Sequence, residues 1–390
     1  MDAGARKRRI SERVDARGET LDRLALDIHA RPEVAFEERF AANALAEYLE
    51  SEKVAVRRGA GGLETAFVAE AGSGGPVVAI LGEYDALPGI GHGCGHNLMG
   101  TAAVGAFLAL RDALDGLRGR IRVIGCPAEE RGNGKVRLMK GGAFEGVDAA
   151  LIFHPGDRDE IDPLMLAMVS LDVEVLGKAA HAAAEPHDGV NALDGLVLGW
   201  TAMSALRLLV RSDSRIHGII TDGGKAANII PDRAAATLMV RSPDNTYLGD
   251  LRRRVLACFE GAAVATGTEL RPTWSDVCEL VNTNRPLAEA FAENARSLGR
   301  TMHARRPSDT HGSTDMGNVT TVIPGIHPFL SITEGPVPGH SIAFTEAART
   351  PRALETMRLA AKAMAMTALD VLVEPALLKR AKEAHDGRAA

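Results

Sequence analysis

Residues 77–100 read VVAILGEYDALPGIGHGCGHNLMG, and the rest of the chain takes its meaning from them. Residues 77–81 form an apolar run of strand length, after which Glu83 and Asp85 enter a turn rich in Gly and Pro, where backbone bends tightly. His92, Cys94 and His96 come next. Asn97 then leads into LMGTAAVGAFLALRDAL, whose apolar spacing predicts a helix packed on a sheet. Strand, polar turn and helix in succession present side chains at the carboxyl edge of an α/β sheet, the usual place for a ligand.

Working outward, Cys94 and His96 stand two apart, so one extended turn can aim a thiolate and an imidazole at the same cation. That pair suits zinc best, with cobalt or manganese as alternatives. Taken alone, the spacing equally describes a buried Cys beside a structural His. Two further clusters favour the metal. CPAEE (126–130) follows the strand-like IRVIG, and FHP (153–155) follows the strand-like DAALI, so three strand ends each deliver candidate ligands. The adjacent carboxylates of CPAEE point in different directions, which lets one bind a metal while its neighbour faces the attacking water.

At 390 residues the chain has the length of two domains with full cores, and 46% hydrophobic with 25% charged residues is the composition of a soluble globular protein. A formal net charge of −6 disfavours nucleic acid as a partner and favours a compact organic substrate. No uninterrupted apolar segment reaches the ~18 residues of a membrane span, so no membrane partner is expected. The basic residues 6–9 precede polar sequence and do not read as a signal peptide. Cys94, Cys126, Cys258 and Cys278 are too scattered for a disulfide framework, and a reducing cytoplasm is the expected location.

In chain order, helical periodicity covers 10–29, and a second helix is expected after Pro32. Strands near 64–69, 77–81, 121–125 and 149–153 alternate with helices, a doubly wound α/β pattern with a mixed sheet. The texture changes at Met168. VSLDVEVLG alternates as a half-buried strand does, and three more strands and two helices complete a small α+β sandwich. The expected organisation is a catalytic domain in two parts, 1–167 and 277–390, with an inserted ferredoxin-like lid or dimerisation domain at 168–276.

GEYDALPGIGHGCGHN, CPAEE, FHP, AAHAAAEPHDGVNALD, AANIIPD, GSTDMGNV and PGHSIAF, in this order over nearly the whole chain, resemble the metallopeptidase family of aminoacylases and carboxypeptidase G. The nearest branch by these motifs is the amidohydrolases, which include p-aminobenzoyl-glutamate hydrolase and hydrolases of indoleacetyl-amino-acid conjugates. Many members of that branch read CGHD where this chain has Asn97; the p-aminobenzoyl-glutamate subgroup reads CGHN.

The resemblance implies two divalent ions per chain, held by Cys94, His96, Glu130, His154 and His340. Asp85 matches the carboxylate that orients a ligating histidine. Glu83 matches a position where the carboxypeptidases carry a histidine ligand, and is not assigned as one here. Glu129 matches the general base, which takes a proton from the attacking water and returns it to the leaving amine. His181 matches an oxyanion donor contributed across a homodimer by the inserted domain. Asn228 and Arg241 match positions that hold a substrate carboxylate, with His217 on a neighbouring strand able to join them. Ser313, Thr314 and Asp315 are expected to line the pocket floor or support His340, while His187, His303, His311 and His327 receive no role. The implied function is a metal-dependent amidohydrolase acting on an N-acyl or aminoacyl amino acid with a free carboxylate. The alternatives are a catalytically silent or ligand-binding subunit of the same fold, and a thiol hydrolase using Cys94 with His96 and Asn97.

Overall fold

The computed structural model describes residues 2–306 and 312–387, so His311 lies outside the described residues. The strands, in chain order, are β1 (Val56–Arg58), β2 (Phe67–Ser73), β3 (Val77–Glu83), β4 (Gly119–Cys126), β5 (Ala149–Leu151), β6 (His154–Gly156), β7 (Ala167–Leu176), β8 (Arg215–Asp222), β9 (Arg233–Ser242), β10 (Glu269–Trp274), β11 (Gly325–Ile326) and β12 (Phe329–Ser331). The chain divides into two compact units, Met1–Leu164 with Val281–Ala390, and Met165–Leu280. The second is a few residues wider than the expected 168–276, because Met165 and Leu166 are buried and Val277 and Leu280 pack on its core.

In the first unit the sheet runs β1-β2-β4-β3-β5-β11. β3 is parallel to β4 and β5, β5 is parallel to β11, and β1, β2 and β4 pair antiparallel, so the sheet is mixed. Every residue of β3 is buried, which is what a central strand covered on both faces requires. Helix His96–Arg111 is buried at every residue except Arg111, and the Ala- and Met-rich helix Pro351–Val373 contributes many of the other fully buried side chains. β6 leaves the main sheet and pairs in parallel with β12.

Three expectations shift for local reasons. The helical stretch 10–29 is two helices, Ala3–Ala16 and Gly18–His29, separated at Arg17 (φ −99°, ψ 0°). The helix after Pro32 starts only at Arg39, since Glu33 turns back to accept from the amides of Phe40 and Ala41 at 2.9 and 3.0 Å while Phe36 adopts a positive φ of 64°. The strand expected over 149–153 ends at Leu151, because from His154 the chain changes partner to β12.

The second unit is a four-stranded antiparallel sheet in the order β10-β7-β9-β8, with helices Ala192–Leu206 and Asn245–Thr266. This is the ferredoxin-like order. Alternation on β7 buries Val169, Leu171, Val173 and Val175. Helix Ala192–Leu206 is apolar on both sides. With the turn after it, residues 192–209 have the length and composition of a membrane span, though Asp194 and Arg207 interrupt them and 28% of the stretch is buried. Its exposed side carries Val197 and Leu198. β8, at the sheet edge, exposes Ile219 and Ile220.

Candidate metal centre

The carboxyl ends of β3 and β4, the start of helix His96–Arg111 and the start of β6 converge on one cluster of donors in the first unit. Donor atoms of Cys94, His96 and His154 lie within 4.8 Å of one another, as do those of Cys94, Glu130 and His340, and those of Glu83, His96 and Glu129. Cys94 joins the first two sets and His96 the first and third, so the three sets form one continuous site.

Asp85 ties two of its parts together. One carboxylate oxygen accepts from His96 Nδ1 at 3.0 Å, and the other accepts the Glu130 amide at 2.9 Å. With Nδ1 donating, His96 turns an unprotonated Nε2 towards the donors, the tautomer a metal ligand needs. His154 is fixed the same way, with Nδ1 2.6 Å from the Pro155 carbonyl, and its ring stacks on Phe329 and meets His96 edge-on. Gly95 makes the turn between Cys94 and His96 feasible: its φ is 72°, and a side chain there would press within 2.9 Å of Pro155. The His340 amide donates to the Gly93 carbonyl at 3.0 Å, anchoring the loop of His340 beside Cys94.

The donor set fits a cation. His96 Nε2 and Glu130 Oε1 are buried with no hydrogen-bond partner, a costly state for polar atoms that a bound ion would relieve. A thiol, imidazoles and carboxylates at such spacing form a zinc-type set. Without metal, burial pushes the Cys94 thiol well above its usual range. Burial raises the Glu129 carboxyl well above the ordinary value, reinforced by the charges of Glu83, Glu130 and Asp315. Burial opposes protonation of His96, but the hydrogen bond and charge of Asp85 outweigh it and leave the ring raised.

Glu83, Lys135, Asp315 and His327 are the residues that sequence reasoning missed. Glu83 Oε2 stands 3.3 Å from His96 Nε2, and its other oxygen pairs with Lys135 Nζ at 2.5 Å. Lys135 also pairs with Asp315, whose second oxygen accepts the Lys135 amide at 2.8 Å. All three are fully buried. Burial opposes ionisation of Glu83, but Lys135 above all, then His96 and His327, hold its carboxyl down at about 2. Asp315 therefore serves Lys135, which corrects the expectation that it supports His340. A lone lysine in GNGKVRL gives no sequence signal of burial. His327 is buried 5.5 Å from the His154 ring, centroid to centroid.

Asn97 does not face the donors. Its Nδ2 donates to the carbonyls of Ala25 and Ala348 at 3.2 and 3.1 Å, which an ionised Asp could not do. This removes the third member of a Cys94–His96–Asn97 thiol mechanism, and the raised Cys94 thiol removes its nucleophile. His92 is buried too, and burial lowers its ring to about 3, next to His29 and the Ile28 carbonyl.

His181, Asn228, Arg241 and His217 belong to the second unit. His181 is exposed, with Nδ1 accepting the amides of Ala183 and Ala184 at 3.2 and 3.1 Å, and the next amide, Ala182, donates to the Asn228 carbonyl. Arg241 on β9 and His217 on β8 share the sheet face opposite the buried Leu238 and Val240, since His217 pairs with Met239. Burial lowers the His217 ring, and the positive charges of Arg241 and Arg207 lower it further.

Comparison with known proteins bears on the same features. Residues 40–369 match the peptidase family M20/M25/M40. The chain belongs to that family. Its relatives include a mouse (Mus musculus) protein named Xaa-Arg dipeptidase, 40% identical over 96% of this chain and 90% of its own length. One of the two kinds of p-aminobenzoyl-glutamate hydrolase polypeptide from Escherichia coli K12 is 30% identical over 96% of this chain and 94% of its own. A Bacillus subtilis M20 structure described as a dinuclear metal binding peptidase superposes with a TM-score of 0.70 at 23% identity, covering 92% of this chain and 99% of its own. As an M20/M25/M40 member the chain is a metal-dependent amidohydrolase, and the silent-subunit reading finds no support among relatives named as hydrolases.

Proposed function

We propose that the chain is a dipeptidase-type hydrolase that cleaves an aminoacyl or N-acyl amino acid with a free carboxylate, with a basic residue favoured on the carboxyl side. The observation that carries the reading is the convergence of thiol, imidazole and carboxylate donors, in a chain akin over nearly its whole length to a protein named Xaa-Arg dipeptidase. Two divalent ions, zinc first and manganese or cobalt next, would be held by Cys94, His96, Glu130, His154 and His340, with Glu83 facing them from beneath. Bound metal supplies Lewis acidity towards the scissile carbonyl and the attacking water.

This chain's residues do the rest. Asp85 holds the His96 ring and the Glu130 backbone in place. Glu129 accepts the water's proton and delivers it to the leaving amine. Because His181 Nδ1 is occupied as an acceptor, its Nε2 carries hydrogen and is fit to donate to a developing oxyanion, supplied from the partner in a homodimer. Arg241, with His217 and Asn228, offers a fork and neutral donors to a carboxylate.

A homodimer through the second unit is supported by the open edge of β8 and by the apolar Ile219, Ile220, Val197 and Leu198. A cytoplasmic location is supported by four cysteines that are all free thiols. The test is a panel of Xaa-Arg, Xaa-Lys, Xaa-Leu and Xaa-Asp dipeptides with p-aminobenzoyl-glutamate and N-acetyl amino acids, each assayed with added Zn, Mn and Co. Fastest turnover of the Arg and Lys dipeptides supports the reading. Turnover confined to p-aminobenzoyl-glutamate or the N-acetyl compounds would overturn the dipeptidase assignment.

A further inference from the structure

We infer that Glu38 is a positioning residue for Glu129, clamping from 90 residues away the turn that aims the base. The inference goes beyond the reaction proposed above and rests on Glu129 being the base. Glu38 is fully buried at the N-cap of helix Arg39–Ser51, yet its side chain caps nothing there, and Glu33 supplies that helix's first amides instead. One Glu38 oxygen, Oε1, accepts the amides of Phe36 and Ala128, both at 2.9 Å, and the other meets the Thr65 hydroxyl at 2.9 Å. All three partners are neutral. A buried carboxyl met only by neutral donors is unfavourable unless it holds something that must not move.

The segment it holds is Ala128, the residue before Glu129. Ala128 has a φ of 60°, a left-handed conformation that costs a side-chain-bearing residue about 1–2 kcal/mol. Its carbonyl accepts the Gly134 amide at 3.2 Å, and a side chain at Gly134 would come 1.8 Å from the Pro127 carbonyl oxygen, so the turn closes tightly on itself. On the far side of Glu129, the Glu130 amide is held by Asp85. The base thus sits between two peptide N–H groups, each tied by a buried carboxylate, and its backbone has little freedom to swing. The clamp survives protonation of Glu38, since Oε1 still accepts both amides while the protonated oxygen donates to Thr65.

The test compares Glu38→Asp, Glu38→Gln and Thr65→Val for kcat, KM, bound metal by elemental analysis, and Tm. Aspartate keeps the charge but withdraws it by one methylene from Ala128, so kcat should fall about 10–100-fold, with KM and metal content unchanged. Glutamine mimics the protonated acid, its oxygen accepting both amides and its nitrogen donating to Thr65, so kcat should stay within about threefold of the parent. Thr65→Val should lower Tm and spare kcat. Parental kcat in Glu38→Asp would overturn the inference, as would equal losses in Asp and Gln, or a loss that follows metal content. Should Glu38→Asp fail to fold, an impaired, folded Glu38→Gln overturns it alone. Turnover persisting in Glu129→Gln would instead remove the base assignment itself, whereas a dead Glu129→Gln beside a fully active Glu38→Asp would overturn only the clamp.

Discussion

Lys135→Met should be among the most destabilising single changes in the first unit, although the side chain touches neither solvent nor substrate. Methionine keeps the length and the apolar stem, so the change is almost purely electrostatic. It leaves Glu83 and Asp315 buried, close together and without their shared cation. Breaking a buried ion pair by deleting one partner costs about 3–5 kcal/mol, and two carboxylates lose their partner here. Against this, Asp315 keeps the backbone amide of residue 135, and its carboxyl, pushed up to about 6 by burial despite Lys135, takes up a proton readily. The net expectation is a loss of about 4 kcal/mol, a large share of a typical total stability. Hydrogen exchange in the presence of chelator measures it. Protection should fall in β3 and β4 and persist in β7 and β9 of the other unit. Lys135→Met/Asp315→Asn should recover part of the loss by removing one stranded charge. A loss below about 1 kcal/mol would refute the premise that Lys135 is the charge balancing both carboxylates.

Asp85→Asn should weaken metal binding about 10–100-fold by chelator competition, because the amide cannot both accept from His96 and accept the Glu130 amide; unchanged affinity would contradict its orienting role. Asn97→Asp should lower stability by about 1–3 kcal/mol by thermal unfolding, since the carbonyls of Ala25 and Ala348 lose their donor, while metal content holds; a fall in metal content would place Asn97 closer to the site than its hydrogen bonds do. Glu38 also predicts a pH dependence. Burial, and secondarily the charge of Asp85, raises it from 4.5 to about 7, so between these values the folded chain keeps a proton that the unfolded chain has released. Its stabilising contribution is fully present below about 4.5 and is lost as pH rises through about 7, on the order of 2 kcal/mol after allowing for partial solvation. The Tm of the parent relative to Glu38→Gln should therefore fall between pH 5 and 8, and parallel curves would show that Glu38 is not so raised.

The donors that sequence made legible are those delivered by strand ends. β3, β4 and the run into β6 are apolar enough to announce themselves, and the residues after an apolar strand in an α/β sheet land at its carboxyl edge. The second unit was legible for a related reason: β7 and β9 alternate, and period two leaves little ambiguity about which face is buried. The supporting residues were not legible, because their meaning depends on long-range partners. Lys135 reads as a solvated helix lysine until Glu83 and Asp315 surround it. Glu38 reads as a helix-start glutamate until Ala128 arrives at its carboxylate, and Asn97 reads as a site residue until its amide is seen to clamp two carbonyls. The late start of helix Arg39–Ser51 has the same origin, since local periodicity cannot show that Glu33 turns back to cap it.

The division of labour between Glu129 and Glu130 is the centre of the account, and bound metal measured beside turnover in Glu129→Gln and Glu130→Gln tests it most directly. Glu129→Gln should keep the parent's metal content and lose turnover, since an amide keeps the shape but cannot take a proton, while Glu130→Gln should lose metal as well as turnover. Equal metal content in the two variants, or turnover surviving in Glu129→Gln, would contradict it.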